Sequence, residues 1–193
     1  MTIQELFIAS NDALLRVIMQ ITDDQWSLDL PKYAVMKPSK LKTAVQYHTY
    51  DDAWVPDVLA GKTAADVGDQ YEWLLASDDV LNNYSKYNAV ASDVVRSLTT
   101  TDLDRIAHLS YGDFSVHDYL QHIVSFRAFR AYDFAKLIGV DATLPDDLVQ
   151  ALLDEFSPVI ESYRQMGVFP PAVPVADDAS PQAKLMGMAG RPA

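Results

Sequence analysis

The 193-residue chain has no cysteine, only seven glycines, no long apolar run and no cluster of basic residues. The missing cysteines exclude a disulfide framework, a thiolate nucleophile and a cysteine-based zinc site. No stretch approaches the roughly 18 apolar residues of a membrane span, so no membrane association is expected. The N-terminus, MTIQELFIASND, carries acids where a signal peptide needs positive charge before an apolar run, and a cytoplasmic protein is the expectation. Fifteen Lys and Arg stand against 27 Asp and Glu, a net charge of −12, and the basic residues are scattered singly. Such a surface repels phosphate backbones, so no nucleic-acid partner is expected.

Hydrophobic residues nevertheless make up 49% of the chain, enough for a sizeable core, and their spacing is helical. Leu6, Phe7, Leu14, Leu15, Ile18 and Ile21 recur at three, four and seven, which predicts a first helix from Ile3 to Ile21 behind a Thr2/Glu5 capping box. A connection from Thr22 to Pro38, with two prolines and little periodicity, is long enough to cross a bundle. Ser39 is the expected cap of a second helix running to about Ala60 and closed by Gly61, with Pro56 expected to kink its last turn. Thr63 to Leu75 reads as a shorter helical piece. A third long helix follows Ser77-Asp78-Asp79 and stops at Thr99-Thr100-Thr101-Asp102. Leu103 to Ser110 is either a short strand or a turn. A fourth helix runs from Ser115 to Gly139, and a fifth from Pro145, at the first turn, to about Gln165. The tail, 166–193, holds five of the ten prolines and one helical segment near Gln182–Met188. The pattern predicts one all-α domain over 1–193: an antiparallel four-helix bundle with a long crossover, a fifth helix and an extended Pro-rich C-terminal arm.

Four histidines are the natural candidates for chemistry. His48 lies mid-helix with Asp52 four residues on, on the same face, where a carboxylate would accept a ring proton or share an ion. The competing reading is a hydrogen-bonded core histidine. His117 and His122 are five apart, which turns them to different helix faces. His117, beside the cap Ser115, reads as solvated, and His108 has no evident partner. On the fourth helix His122, Phe126 and Arg130 share a stripe, and Arg127, Arg130 and Asp133 are the charges of an otherwise apolar segment. An arginine there either snorkels to solvent or binds a carboxylate through its fork.

Tyr132-Asp133-Phe134-Ala135-Lys136-Leu137-Ile138-Gly139 resembles the W-D-L-A-R-A-x-G signature of the DinB-like superfamily, in the branch containing mycothiol-dependent maleylpyruvate isomerases. Leu144-Pro145-Asp146-Asp147-Leu148, Phe169-Pro170-Pro171-Ala172-Val173-Pro174-Val175, Asp177-Asp178-Ala179-Ser180-Pro181-Gln182 and Gly190-Arg191-Pro192 fit the same pattern, as do Asp24-Gln25-Trp26, His48 and Leu59-Ala60-Gly61. The resemblance spans nearly the whole chain. It implies a metal held by a helix-two histidine and by an acid or histidine and a histidine four apart on the last bundle helix. His48 matches the first ligand; the other two would fall at Phe126 and Arg130, neither of which binds a cation.

Three functions follow as expectations. The first is a bundle whose metal site has degenerated, holding an anionic small molecule through His48, Asp52 and Arg130 without a cofactor. The second is a metal- and thiol-dependent isomerase or transferase, with zinc or nickel in a displaced site of His48, Asp52 and His122. The third is a non-catalytic homodimer joined through the faces bearing Trp54, Tyr71 and Trp73. The resemblance also implies that Arg130 stands within reach of His48 or Asp52, in the space a metal would fill.

Overall fold

A computed structural model describes residues 1–34, 37 and 39–192. Helix α1 (Ile3–Ile18) begins at the expected capping box: Glu5 N–H donates to Thr2 Oγ1 at 3.2 Å and Thr2 N–H donates to Glu5 Oε2 at 2.8 Å. The connection that follows contains two 3₁₀ turns, Asp23–Gln25 and Lys32–Ala34, and is pinned by a bridge between Asp29 and Lys40. Ser39 does not cap the next helix. Its carbonyl accepts from Leu30 N–H at 2.9 Å instead, and Lys40 takes the cap position. Pro38 lies outside the described residues. Helix α2 (Leu41–Leu59) runs through Pro56 without a break, and the Pro56 carbonyl accepts the N–H of Ala60 at 3.0 Å.

The Thr63–Leu75 piece divides into α3 (Ala64–Val67) and a 3₁₀ turn, Glu72–Ala76, separated at Gly68. Helix α4 (Val80–Arg96) is followed by a β-hairpin of β1 (Ile106–Leu109) and β2 (Gly112–Ser115), turning at Ser110-Tyr111. The strand alternative for Leu103–Ser110 therefore holds in part, and a return strand outside that segment completes the hairpin. Ser115 caps α5 (Val116–Ile138), accepting from Asp118 N–H at 3.0 Å, and Gly139 closes it in a left-handed conformation. The expected fifth helix is two, α6 (Asp146–Phe156) and α7 (Ile160–Gln165), with Pro145 before the first turn rather than in it. Pro158 divides them, since it has no N–H and its ring clashes with the preceding turn. Helix α8 (Pro181–Met188) starts at the Ser180 cap.

Four helices, α1, α2, α4 and α5, form the bundle. Close backbone packing joins α1 to α5, α2 to α4 and α1 to α4; α2 and α5 meet across the remaining side through long side chains. The C-terminal segment is built into the core. Phe169 packs at 5.4 Å from Phe129, beside Phe156 and Tyr163, and Arg191 reaches buried Asp133. Among the described residues no helix is long and apolar enough to cross a membrane.

Candidate functional site

Helical spacing places His48 and Asp52 on one face of α2, turned toward α5. The side chain that meets them is Arg127. Its Nη2 donates to Asp52 Oδ1 at 2.7 Å and, more weakly, to the His48 carbonyl at 3.4 Å, while Nη1 donates to His48 Nδ1. All three residues are buried, Arg127 at 1% and Asp52 at 0% exposure. A guanidinium can only donate, so His48 must accept at Nδ1 and carry its proton on Nε2. Burial lowers the His48 pKa well below its usual value, and Arg127 and Arg130 push it further down, so the ring is neutral at pH 7. Burial raises the Asp52 carboxyl, and Arg127 opposes that rise. Arg127 itself keeps its proton: burial disfavours its charge, but the nearby Asp52 carboxylate and neighbouring acidic groups outweigh that and raise its pKa.

Arg130 is not in this cluster. Three residues along a helix is a rotation of about 300°, which turns Arg130 about 60° away from Arg127. Arg130 Nη1 donates to Asp133 Oδ2 at 3.1 Å, and Arg191 grips the same carboxylate with Nε and Nη2, each at 2.9 Å. Phe126 faces outward at 43% exposure. The expected triad of His48, Asp52 and Arg130 is therefore corrected to His48, Asp52 and Arg127, three residues and about 60° away on the same helix.

Beside the ion pair a cavity of about 380 Å³ opens between α2, α5, α3 and the hairpin. Its walls are largely aromatic, with Tyr50 and Trp54 on one side and Tyr111, Tyr119 and His122 on the other; Arg127 closes its inner end. Tyr111 Oη and His122 Nδ1 are 3.2 Å apart, and Phe114 meets the His122 ring edge-on at 4.9 Å. Burial lowers the His122 pKa and Asp118 counters part of this. Asp51 also lines the cavity. Solvent in the cavity reaches its carboxyl, but protein surrounds it closely enough that burial raises its pKa to about 6, against the pull of Arg127.

The remaining candidates are elsewhere. His108 pairs with Asp113 across the hairpin at 2.9 Å, although its edge also borders the cavity. His117 Nδ1 lies 3.6 Å from Asp118 Oδ1. Trp54 and Tyr71 are half-buried and pack against each other at 6.1 Å, Tyr71 Oη donates to Asp57 Oδ2 at 2.8 Å, and Trp73 is exposed.

No family model matches the sequence, and no curated protein matches it. Solved structures that share its shape include a histidine-to-alanine mutant of mycothiol-dependent maleylpyruvate isomerase, at 12% identity and TM-score 0.60. Mycothiol-dependent maleylpyruvate isomerase itself superposes at 11% identity and TM-score 0.58; each match covers 90% of this chain and 75% of the other. The fold is DinB-like. At these identities the likeness shows the fold alone, and function has to be argued from the site. The metal that the DinB-like resemblance implies does not fit the residues present. The space facing His48 and Asp52 holds a guanidinium, which stays protonated and repels a cation. His122 stands among Tyr111, Phe114 and Tyr163, and among the described residues no three His, Asp or Glu side chains gather closely enough to hold an ion.

Proposed function

We propose that this DinB-like bundle is a small-molecule-binding protein in which the Arg127–Asp52 ion pair stands where a bundle metal would. The observation carrying this reading is the cavity of about 380 Å³ beside that pair, a volume suited to one small ring-bearing ligand. Tyr50, Trp54, Tyr111 and Tyr119 offer ring faces and edges, and Asp51 and His122 offer polar anchors. The anion implied by Arg130 does not belong in this cavity, since Arg130 faces away from it and the Arg127 charge is already met by Asp52. Titration calorimetry with phenol, indole and catechol tests the reading. Saturable binding that Ala64→Trp, at an exposed position on the cavity wall, weakens at least about tenfold is expected. No binding by any of the three, or binding indifferent to Ala64→Trp, overturns it.

A second reading rests on Asp51. A carboxyl with a pKa of about 6 in the same cavity as a histidine is suited to proton transfer near neutral pH, so the ligand would be a substrate. Deuterium exchange from a bound carbon acid that Asp51→Asn abolishes would favour it over binding alone.

A further inference from the structure

A second cavity, also about 380 Å³, lies on the other side of Phe126, between the Lys32–Ala34 turn, α5 and the segment after α7. Three cations line it, Lys32, Arg130 and Arg191, in a chain whose net charge is −12. The acid beneath them is Asp133, fully buried, and Arg191 satisfies both of its oxygens. Arg191 Nη1 is also used, donating to the Ala189 carbonyl at 2.9 Å. Arg130 is left with one bond, from Nη1 to Asp133 Oδ2. Its Nε and Nη2 have no acceptor among the described residues, yet they are not sealed from the cavity, and the side chain is 14% exposed. One carboxylate thus serves two guanidinium groups, with Lys32 adding a third positive charge at the mouth. The remaining walls are mainly apolar, with Ala34, Phe126, Val168, Phe169 and Pro170; Tyr33 and Ser125 also line the cavity, and the Ser125 hydroxyl is already used, donating to the His122 carbonyl.

We infer that this cavity binds a small organic carboxylate, whose charged end accepts from Arg130 while its apolar body packs between Phe126 and the Val168–Pro170 segment. A largely buried guanidinium with free donors is a costly arrangement that an incoming carboxylate relieves, since two parallel N–H···O bonds fit its fork. The direction of the Arg130 pKa agrees: burial lowers it and Arg191 lowers it further, while Asp133 offsets only part. A bare inorganic anion would satisfy the charge but leave the apolar walls unmatched. The inference does not depend on the first cavity, from which Arg130 turns away.

The test uses the full chain and benzoate as probe, with benzamide as its neutral counterpart and inorganic phosphate as a bare anion. Heteronuclear NMR would follow the Arg130 Nε–H and the backbone amides around Val168. Benzoate is expected to shift these resonances saturably, with benzamide and phosphate each at least about tenfold weaker. Arg130→Gln, which leaves Asp133 paired with Arg191, is expected to weaken benzoate by about tenfold or more without altering phenol binding in the first cavity. Lys32→Gln, at an exposed position, should weaken it by a smaller factor. No shift at up to about 10 mM benzoate, equal binding by wild type and Arg130→Gln, or phosphate binding as tightly as benzoate would each overturn the inference.

Discussion

Arg127 Nη2 stands 2.7 Å from Asp52 Oδ1 at the centre of the bundle, with neither side chain more than 1% exposed. The pair ties α5 to α2 on the side of the bundle where their backbones do not pack closely. Its other consequence is electrostatic: it fixes His48 as a neutral hydrogen-bond acceptor, so three residues that look like site chemistry act as one buried unit. Removing Arg127 or Asp52 alone leaves the other charge without its partner. Arg127→Met is expected to lower the unfolding free energy by about 3–5 kcal/mol, and Asp52→Leu by a similar amount. The double variant should recover most of that loss, because no buried charge remains. Urea denaturation of the three variants measures it; additive losses would contradict the pairing.

Arg127 also decides where a metal could be built. Arg127→His would place an imidazole opposite His48 and Asp52, giving three donors of the type zinc accepts. That variant is expected to retain near-stoichiometric zinc in elemental analysis after dialysis against zinc and then buffer. Arg130→His, alone or with Phe126→Glu, is expected to retain none at this site, since positions 126 and 130 turn away from His48.

The C-terminal segment is held by Arg191 on Asp133, and by a chain path that only glycine can follow. Gly190 has φ of +77°, and a Cβ there would lie 2.4 Å from Pro170 Cγ and 2.8 Å from the Pro171 carbonyl oxygen. Gly190→Ala should cost more than about 1 kcal/mol through strain and collision. Arg191→Met should cost about 3 kcal/mol, at the lower end for a broken buried pair because Arg130 still contacts Asp133. Thermal unfolding of both variants, and faster proteolysis within 170–192, would register the loss.

Asp51 and His48 give stability opposing pH dependences. The Asp51 pKa rises from 3.8 to about 6 on folding, so the native state holds a proton the unfolded chain releases earlier. Its contribution is full below pH 3.8 and is lost as pH rises through about 6. His48 is depressed below 6.5, so its contribution is present above that value and lost as pH falls toward its native pKa. Asp51→Asn should therefore gain on wild type between about pH 4 and 6 and then hold a constant advantage of roughly 1 kcal/mol, reduced by solvent in the cavity. Denaturation midpoints from pH 4 to 8 give this difference; no change in slope would contradict it.

Much of the fold is legible because helix signals are local. The Thr2/Glu5 capping box, the Ser115 cap and Gly139 each act within a few residues, and the structure places all three as read. Ser39 and the fifth helix depart from the local pattern for reasons equally physical. Ser39 is drawn into a bridge with a segment nine residues upstream, and Pro158 breaks a pattern whose apolar period continues past it. The hairpin's second strand, Gly112–Ser115, is too short for alternation to show, and pairing with β1 defines it.

The site was partly legible. His48 and Asp52 were found together because their spacing on one helix is a local property, and Arg127, Arg130 and Asp133 were all visible as charges on an apolar helix. Which arginine faces His48 depends on the rotation of α5 against α2, and the two candidates differ by only about 60°. Periodicity alone did not supply that angle; the packing of Ile123, Arg127 and Phe134 inward, with Phe126 outward, does. The pairing of Arg191 with Asp133 spans 58 residues and carried no sequence signal. The sequence by itself determined an acidic, cysteine-free helical bundle, because caps, breakers and apolar spacing act over a few residues. Tertiary structure decided which charges are neutralised and which face a cavity, because a buried ion pair forms only when distant helices lock at one rotation and one height.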